Sequence, residues 1–102
     1  MLANATVEVK DGVIVTVDRR TGPVTHDLGN RTLMPGLIDV HVHIGNHFGK
    51  DGRAQNQGES PADMALFAAE NAWVTLMAGF TTVQSVGAEA DKVLRDAIAR
   101  GV

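Results

Sequence analysis

The 102-residue sequence has no cysteine, no surplus of basic residues and no long run of apolar residues. Without cysteine the chain has neither a disulfide framework nor thiolate chemistry, which suits a reducing compartment. With a formal charge of −3 and nine scattered lysines and arginines, it lacks the basic patch that phosphate backbones require, so we expect no nucleic-acid partner. No apolar stretch approaches the roughly 18 residues of a membrane span, and no leader pattern opens the chain. We therefore expect a soluble, cytoplasmic protein that does not associate with membranes.

The first third of the chain has the pattern of a small antiparallel sheet. Asp11-Gly12 separates two β-branched runs, and Asp-Gly favours a type I′ hairpin turn because it tolerates positive φ at both central residues. Val24 to Leu28 is expected to add a third short strand before the turn signal Gly29-Asn30. We therefore predict a first domain over residues 1–34 that is a small β-sheet.

After Pro35-Gly36 the pattern changes to alternating strands and helices. The sequence predicts a strand that ends near Ile44, a polar loop without structure of its own from Gly45 to Glu59, and a second strand from Phe80 to Gly87. A helix should begin at Ser60-Pro61-Ala62-Asp63, which has the residues of a capping box, and run to about Ala78. A second helix should begin near Ala90. This β-α-β-α order predicts a parallel sheet over residues 35–102, with further strands expected beyond Val102.

The helix after the polar loop is apolar around more than one face. Its apolar residues include Leu66, Trp73, Leu76 and Met77 outside the main stripe. A helix of this kind is normally covered on more than one side, so we expect other elements to pack on both sides of it.

The strand before the polar loop contains the candidate functional residues. Because side chains alternate along a strand, Asp39, His41 and His43 should share one face, and Ile38, Val40, Val42 and Ile44 the other. Two imidazoles side by side at a strand end are a usual beginning of a metal site, although the same spacing can arise by accident on a solvated face. Asp39 could orient the rings from outside the metal, or bond to nearby backbone. His47 could be a third ligand, a substrate contact or a solvent-exposed side chain.

The stretch Leu33-Met34-Pro35-Gly36-Leu37-Ile38-Asp39-Val40-His41-Val42-His43 resembles the signature L-x-P-G-x-I-D-x-H-x-H of the metal-dependent amidohydrolase superfamily. The hairpin and Asp27 to Thr32 resemble the β-sandwich segment that precedes the barrel in that family. Residues 69–75, Gly79 to Val83 and Leu94 to Ile98 resemble its prolidase-like and imidazolonepropionase-like branch.

This resemblance implies the first two βα units of a TIM-like (β/α)8 barrel, preceded by part of a β-sandwich. It also implies that His41 and His43 bind a metal, usually Zn²⁺, in a centre of one or two divalent ions. Hydrolysis of an amide, peptide or cyclic C–N bond of a small molecule would proceed by a metal-activated hydroxide. The family's other ligands and its catalytic acid/base come from later strands, so we expect no catalytic residue in this chain and no activity from it alone.

The sequence is also compatible with a second hypothesis about the function. A small α/β chain with uncovered strand edges and apolar helix faces could be non-catalytic and self-associate through them, and homo-oligomers are expected on the same grounds.

Overall fold

The structure, a computed structural model, describes residues 2–19, 22–55 and 58–102. The chain divides into two compact units, the first ending at Leu33 and the second beginning at Met34. Within the described residues both strands and helices are present, so the architecture is mixed α/β. None of the helices in this part of the chain is long and apolar enough to cross a membrane.

The first unit contains the predicted hairpin. Strand β1 (Thr6–Lys10) pairs antiparallel with β2 (Val13–Asp18), with a bulge between Glu8 and Val9. Asp11 and Gly12 form the turn with φ values of 52° and 76°, the positive values that a type I′ turn requires. The Asp-Gly signal is thereby confirmed.

The third strand predicted at Val24 to Leu28 was wrong, because the described residues there form no strand. Local hydrogen bonds take the place of cross-strand ones: Oδ1 of Asp27 accepts from the Gly29 amide at 2.8 Å, and the Arg31 amide donates to the Leu28 carbonyl at 3.2 Å. An Asx turn of this kind competes with sheet pairing for the same backbone groups. The preceding residues 20 and 21 lie outside the described residues.

The second unit is built on a parallel strand pair. Strand β3 (Leu37–Val42) pairs with a strand Phe80–Ser85, and a helix Pro61–Met77 connects the two. A final helix, Ala90–Ala99, follows the second strand. Parallel strands joined through a helix are a βα arrangement, and the predicted alternation of strands and helices is confirmed.

The polar loop from Gly45 to Glu59 carries a short hairpin that we did not predict. Strand β4 (His47–Phe48) pairs antiparallel with β5 (Ala54–Gln55), and the Gly52 amide donates to the Gly49 carbonyl across the turn between them. Two-residue strands leave almost no periodic signal in a sequence, which explains the wrong prediction of an unstructured loop. Residues 56 and 57 lie outside the described residues. In chain order the remaining elements are helix α1 (Pro61–Met77), strand β6 (Phe80–Ser85) and helix α2 (Ala90–Ala99).

The capping box predicted for α1 is present. Oγ of Ser60 accepts from the Asp63 amide at 3.2 Å, and Oδ2 of Asp63 accepts from the Ser60 amide at 3.3 Å. At the other end Gly79 has φ of 96° and terminates the helix, as a residue free to adopt positive φ can do.

The core of the second unit is small. Ile44, Ala68 and Ala90 are its buried residues, and partly buried apolar neighbours pack on them: Val42, Met64, Ala72 and Leu94. Ile38 and Val40 on β3 remain 65% and 70% exposed. Only the end of the predicted apolar face of β3 is therefore packed.

Helix α1 is covered along one stripe only, so the expectation of cover on more than one side was wrong for the described chain. Leu66 and Trp73 are 70% and 63% exposed, and Leu76 and Met77 are exposed as well. Helix α1 contacts α2 and β6, and Ala68 is its buried residue.

Candidate metal centre

His41 and His43 lie where strand β3 ends. His41 is the next-to-last residue of the strand and His43 follows it directly, so both imidazoles project from the end at which parallel α/β sheets place their ligands. Their ring centroids are 5.3 Å apart at an interplanar angle of 71°. Both residues are solvent-exposed. The alternation along β3 thus brings the two predicted rings together.

The spacing of the two rings fits a shared divalent metal. Two imidazoles bound tetrahedrally to one zinc, each through an N–Zn bond of about 2.0–2.1 Å, have ring centres about 5 Å apart. The observed separation of 5.3 Å matches this value. Among the described residues, however, no group of three or more His, Cys, Asp or Glu side chains is placed to hold a metal ion. The described residues therefore offer two candidate ligands, one short of the three that a catalytic zinc requires.

Asp39 is hydrogen-bonded to the main chain of His41, the first residue of the histidine pair. Its Oδ1 accepts a hydrogen bond from the backbone amide of His41 at 3.0 Å. Asp39 is half-buried, and the register between β3 and β6 is interrupted from Asp39 to Val42. The carboxylate thus accepts a hydrogen bond from a backbone amide at the point where the strand pairing is irregular.

The backbone around His43 is held on both sides. Before it, the Val42 carbonyl accepts from the Val86 amide at 2.9 Å; after it, the Asn46 amide donates to the His43 carbonyl at 3.0 Å. The first bond ties the end of β3 to the residue that follows β6. The second closes a turn from His43 to Asn46.

That turn is anchored to helix α1 through a single amide side chain. Nδ2 of Asn71 donates to the Ile44 carbonyl at 2.8 Å and to the Asn46 carbonyl at 2.7 Å. Since a side-chain amide has two N–H donors, Asn71 uses both of them on this turn. Asn71 is half-buried, and Ile44 and Gly45 are buried.

A second anchor comes from the end of β6 and the start of α2. Oγ of Ser85 accepts from the Ile44 amide at 3.3 Å and donates to Oδ1 of Asp91 at 2.7 Å. Oδ2 of Asp91 accepts from the Ala88 amide at 3.0 Å. Both backbone groups of Ile44, the residue after His43, are therefore hydrogen-bonded to side chains of other elements.

A cleft of about 350 Å³ opens beside His43, between the segments that follow β3 and β6. Asn46 lines it on one side, and Gly87 and Glu89 line it on the other. The cleft gives a small molecule room next to one of the two candidate ligands.

His47 has different contact partners from those of the histidine pair. Its Nε2 is 3.0 Å from Oε1 of Glu59, and its ring stacks on Phe67 with centroids 3.8 Å apart. The side chain of His47 is 18% exposed, and its Nδ1 atom is buried without a hydrogen-bond partner. The structure thus gives His47 a carboxylate and an aromatic neighbour, in a hairpin rather than an unstructured loop.

The sequence did not predict that the residues that hydrogen-bond this turn would hold it in place. One signal for Asn71 was present, because it falls at helical spacing from Phe67 and Ala68, on the packed stripe of α1. A polar residue on such a stripe has to find buried partners. Ser85 and Asp91 gave no comparable signal.

Comparison with known proteins gives one family and two relatives. The sequence profile of the amidohydrolase family matches residues 32–102. An allantoinase of Arabidopsis thaliana is 45% identical over 51 residues, which is 42% of this chain and 10% of that protein. An adenine deaminase of Desulfatibacillum aliphaticivorans is 50% identical over 38 residues, 37% of this chain and 7% of that protein. The chain thus spans a tenth or less of these relatives, and no solved structure matches it.

Proposed function

The chain belongs to the amidohydrolase family, and from that premise we propose that it forms the metal-binding start of a hydrolase of C–N bonds in a small molecule. The observation that carries the proposal is the pair His41 and His43, whose rings lie 5.3 Å apart at the end of a parallel strand. The names of the two relatives support C–N chemistry, since one is named for allantoin and the other for deamination of adenine.

In this proposal the side chains of this chain have separate tasks. His41 and His43 supply two nitrogen ligands, and Asp39 orients the first of them through its bond to the His41 amide. The metal, one or two divalent ions and Zn²⁺ by our expectation, supplies Lewis-acid polarisation and activation of water at neutral pH. His47 as a substrate contact remains a prediction, and its ring would have to leave Phe67 or meet the substrate at its free edge.

Several finer points belong to the proposal as well. We propose the TIM-like barrel, of which β3, α1, β6 and α2 are the first two βα units, and a cytoplasmic location. The prolidase-like and imidazolonepropionase-like branch also remains a prediction. Peptides, amides and cyclic C–N compounds are therefore all candidate substrates. We expect the chain by itself to turn over none of them, because the described residues hold no third ligand.

Zinc binding by the full chain tests the proposal. We expect isothermal titration calorimetry to give weak binding, because two imidazoles leave the remaining coordination positions to water. His41→Ala and His43→Ala should each weaken it further, at least tenfold, as expected when one of two ligands is lost. The matched control is His26→Ala, which removes an exposed histidine of the first unit.

Two results would contradict the assignment. Tight, stoichiometric zinc binding that survives His41→Ala would place the metal elsewhere. Robust hydrolysis of dipeptides or other amides by the zinc-loaded chain would show that the two histidines do not need the ligands we expect from later strands.

A second candidate function is self-association without catalysis. The observation that favours it is the exposure of large apolar side chains in the second unit, such as Val40 at 70% and Trp73 at 63%. Apolar surface of this kind marks interaction sites in soluble proteins. A monodisperse monomer in sedimentation velocity, across a wide range of concentrations, would count against it.

A further inference from the structure

Asn71 lies on helix α1 and connects it to the turn that follows the histidine pair. Its amide donates to two carbonyls of that turn, those of Ile44 and Asn46, at 2.8 and 2.7 Å. These bonds join residues 27 and 25 positions apart in the sequence. The turn is thereby tied to a helix rather than left as a solvated loop.

The turn determines where the His43 side chain can go. The Val42 carbonyl is bonded to the Val86 amide and the His43 carbonyl to the Asn46 amide. Fixing the peptide groups on both sides of a residue fixes the direction of its Cα–Cβ bond, which leaves only the side-chain torsions free. Metal ligands generally depend on such support, because their rings must be held in the productive orientation.

An asparagine suits this position for a chemical reason. Both hydrogen-bond partners are carbonyl oxygens, so the side chain must supply two donors from one atom. Aspartate has the same shape, but its oxygens would face the two carbonyls with no proton between them. The contact therefore depends on the amide group and not on the volume of the side chain.

We propose that Asn71 is a positioning residue for His43: it clamps the turn from His43 to Asn46 and so holds the imidazole in place for metal. The proposal rests on the proposed metal-binding function. It concerns orientation, however, which can be measured in the metal-free chain.

The test uses NMR on the full, isotope-labelled chain and its Asn71→Asp variant. We expect Asn71→Asp to raise hydrogen-exchange rates of the Ile44 and Asn46 amides at least tenfold, and to average the χ1 torsion of His43 over several rotamers. In the zinc-loaded series, the dissociation constant read from the His43 imidazole resonances should rise at least threefold. Asn30→Asp is the matched control, because it makes the same charge change at an exposed turn of the first unit.

The outcomes separate this inference from the metal proposal. If zinc does not shift the His43 resonances of the unsubstituted chain, the metal function fails, while the χ1 and exchange data still decide the role of Asn71. If Asn71→Asp folds and retains the original χ1 and exchange rates, the positioning role is overturned. Should Asn71→Asp fail to fold, Asn71→Ala, which removes both donors without adding a charge, is measured in the same way. Unchanged χ1 and exchange in that variant would overturn the role equally.

Discussion

At the scale of single residues, Gly36 occupies a position with no room for a side chain. A Cβ atom on Gly36 would lie 2.7 Å from Cβ of Thr81 and would collide with the other side-chain atoms of that threonine. Thr81 lies on β6, whose first residue pairs with Leu37. The missing side chain at position 36 therefore allows the start of β3 to lie close against β6.

We predict that Gly36→Ala destabilises the chain by about 1–3 kcal/mol, the usual cost of forcing extra atoms into a packed contact. Urea denaturation of the full chain measures the change. Gly45→Ala is the matched control, because a Cβ there would meet only Ala88 at the ordinary distance of 3.5 Å. Equal stability of the two alanine variants would show that the collision at Thr81 is relieved without cost.

The candidate site divides at the same scale into residues that could be predicted and residues that could not. His41 and His43 follow from alternation along one strand and from a contiguous signature, both of which are local. Asn71 and Ser85 reach Ile44 across 27 and 41 positions of sequence. Contacts of that range depend on how α1 and β6 pack, which no local pattern encodes.

At the scale of elements, the predictions that succeeded rest on signals contained within a few residues. The Asp11-Gly12 turn depends on the positive φ values of its two central residues, and the capping box of Ser60 and Asp63 on hydrogen bonds within four residues. The strand predicted at Val24 to Leu28 failed because a strand also needs a partner, and Asp27 instead bonds to the nearby Gly29 amide. The β4–β5 hairpin, which contains His47, is too short to have a periodic signal.

The start of helix α1 provides the prediction at this scale. Ser60→Ala removes the acceptor of the Asp63 amide and one side of the capping box, so we expect a loss of about 1 kcal/mol in the free energy of unfolding. Ser60→Thr keeps a hydroxyl at the cap and should lose markedly less. Thermal or urea denaturation followed by far-UV circular dichroism gives both values, and an equal loss in the two variants would argue against the cap.

At the scale of the whole molecule, the second unit has more apolar surface than its own elements cover. Three residues are buried in its core, while Ile38, Val40, Leu66 and Trp73 are each at least 63% exposed. A parallel sheet is normally covered on both faces. Two parallel strands and two helices cannot provide that cover, so this surface is available to another polypeptide segment or to a second copy of the chain.

We predict that the exposed apolar residues of β3 drive self-association. Ile38→Thr combined with Val40→Thr should weaken the association measured by sedimentation velocity at least fivefold, because it removes apolar surface that would be buried between chains. Unfolding free energy should change little, since both side chains are already mostly in water. Val15→Thr combined with Val17→Thr is the control, because these hairpin residues are 51% and 56% exposed. If the hairpin pair weakens association as much as the β3 pair does, the association is non-specific and the uncovered strand face has no special part in it.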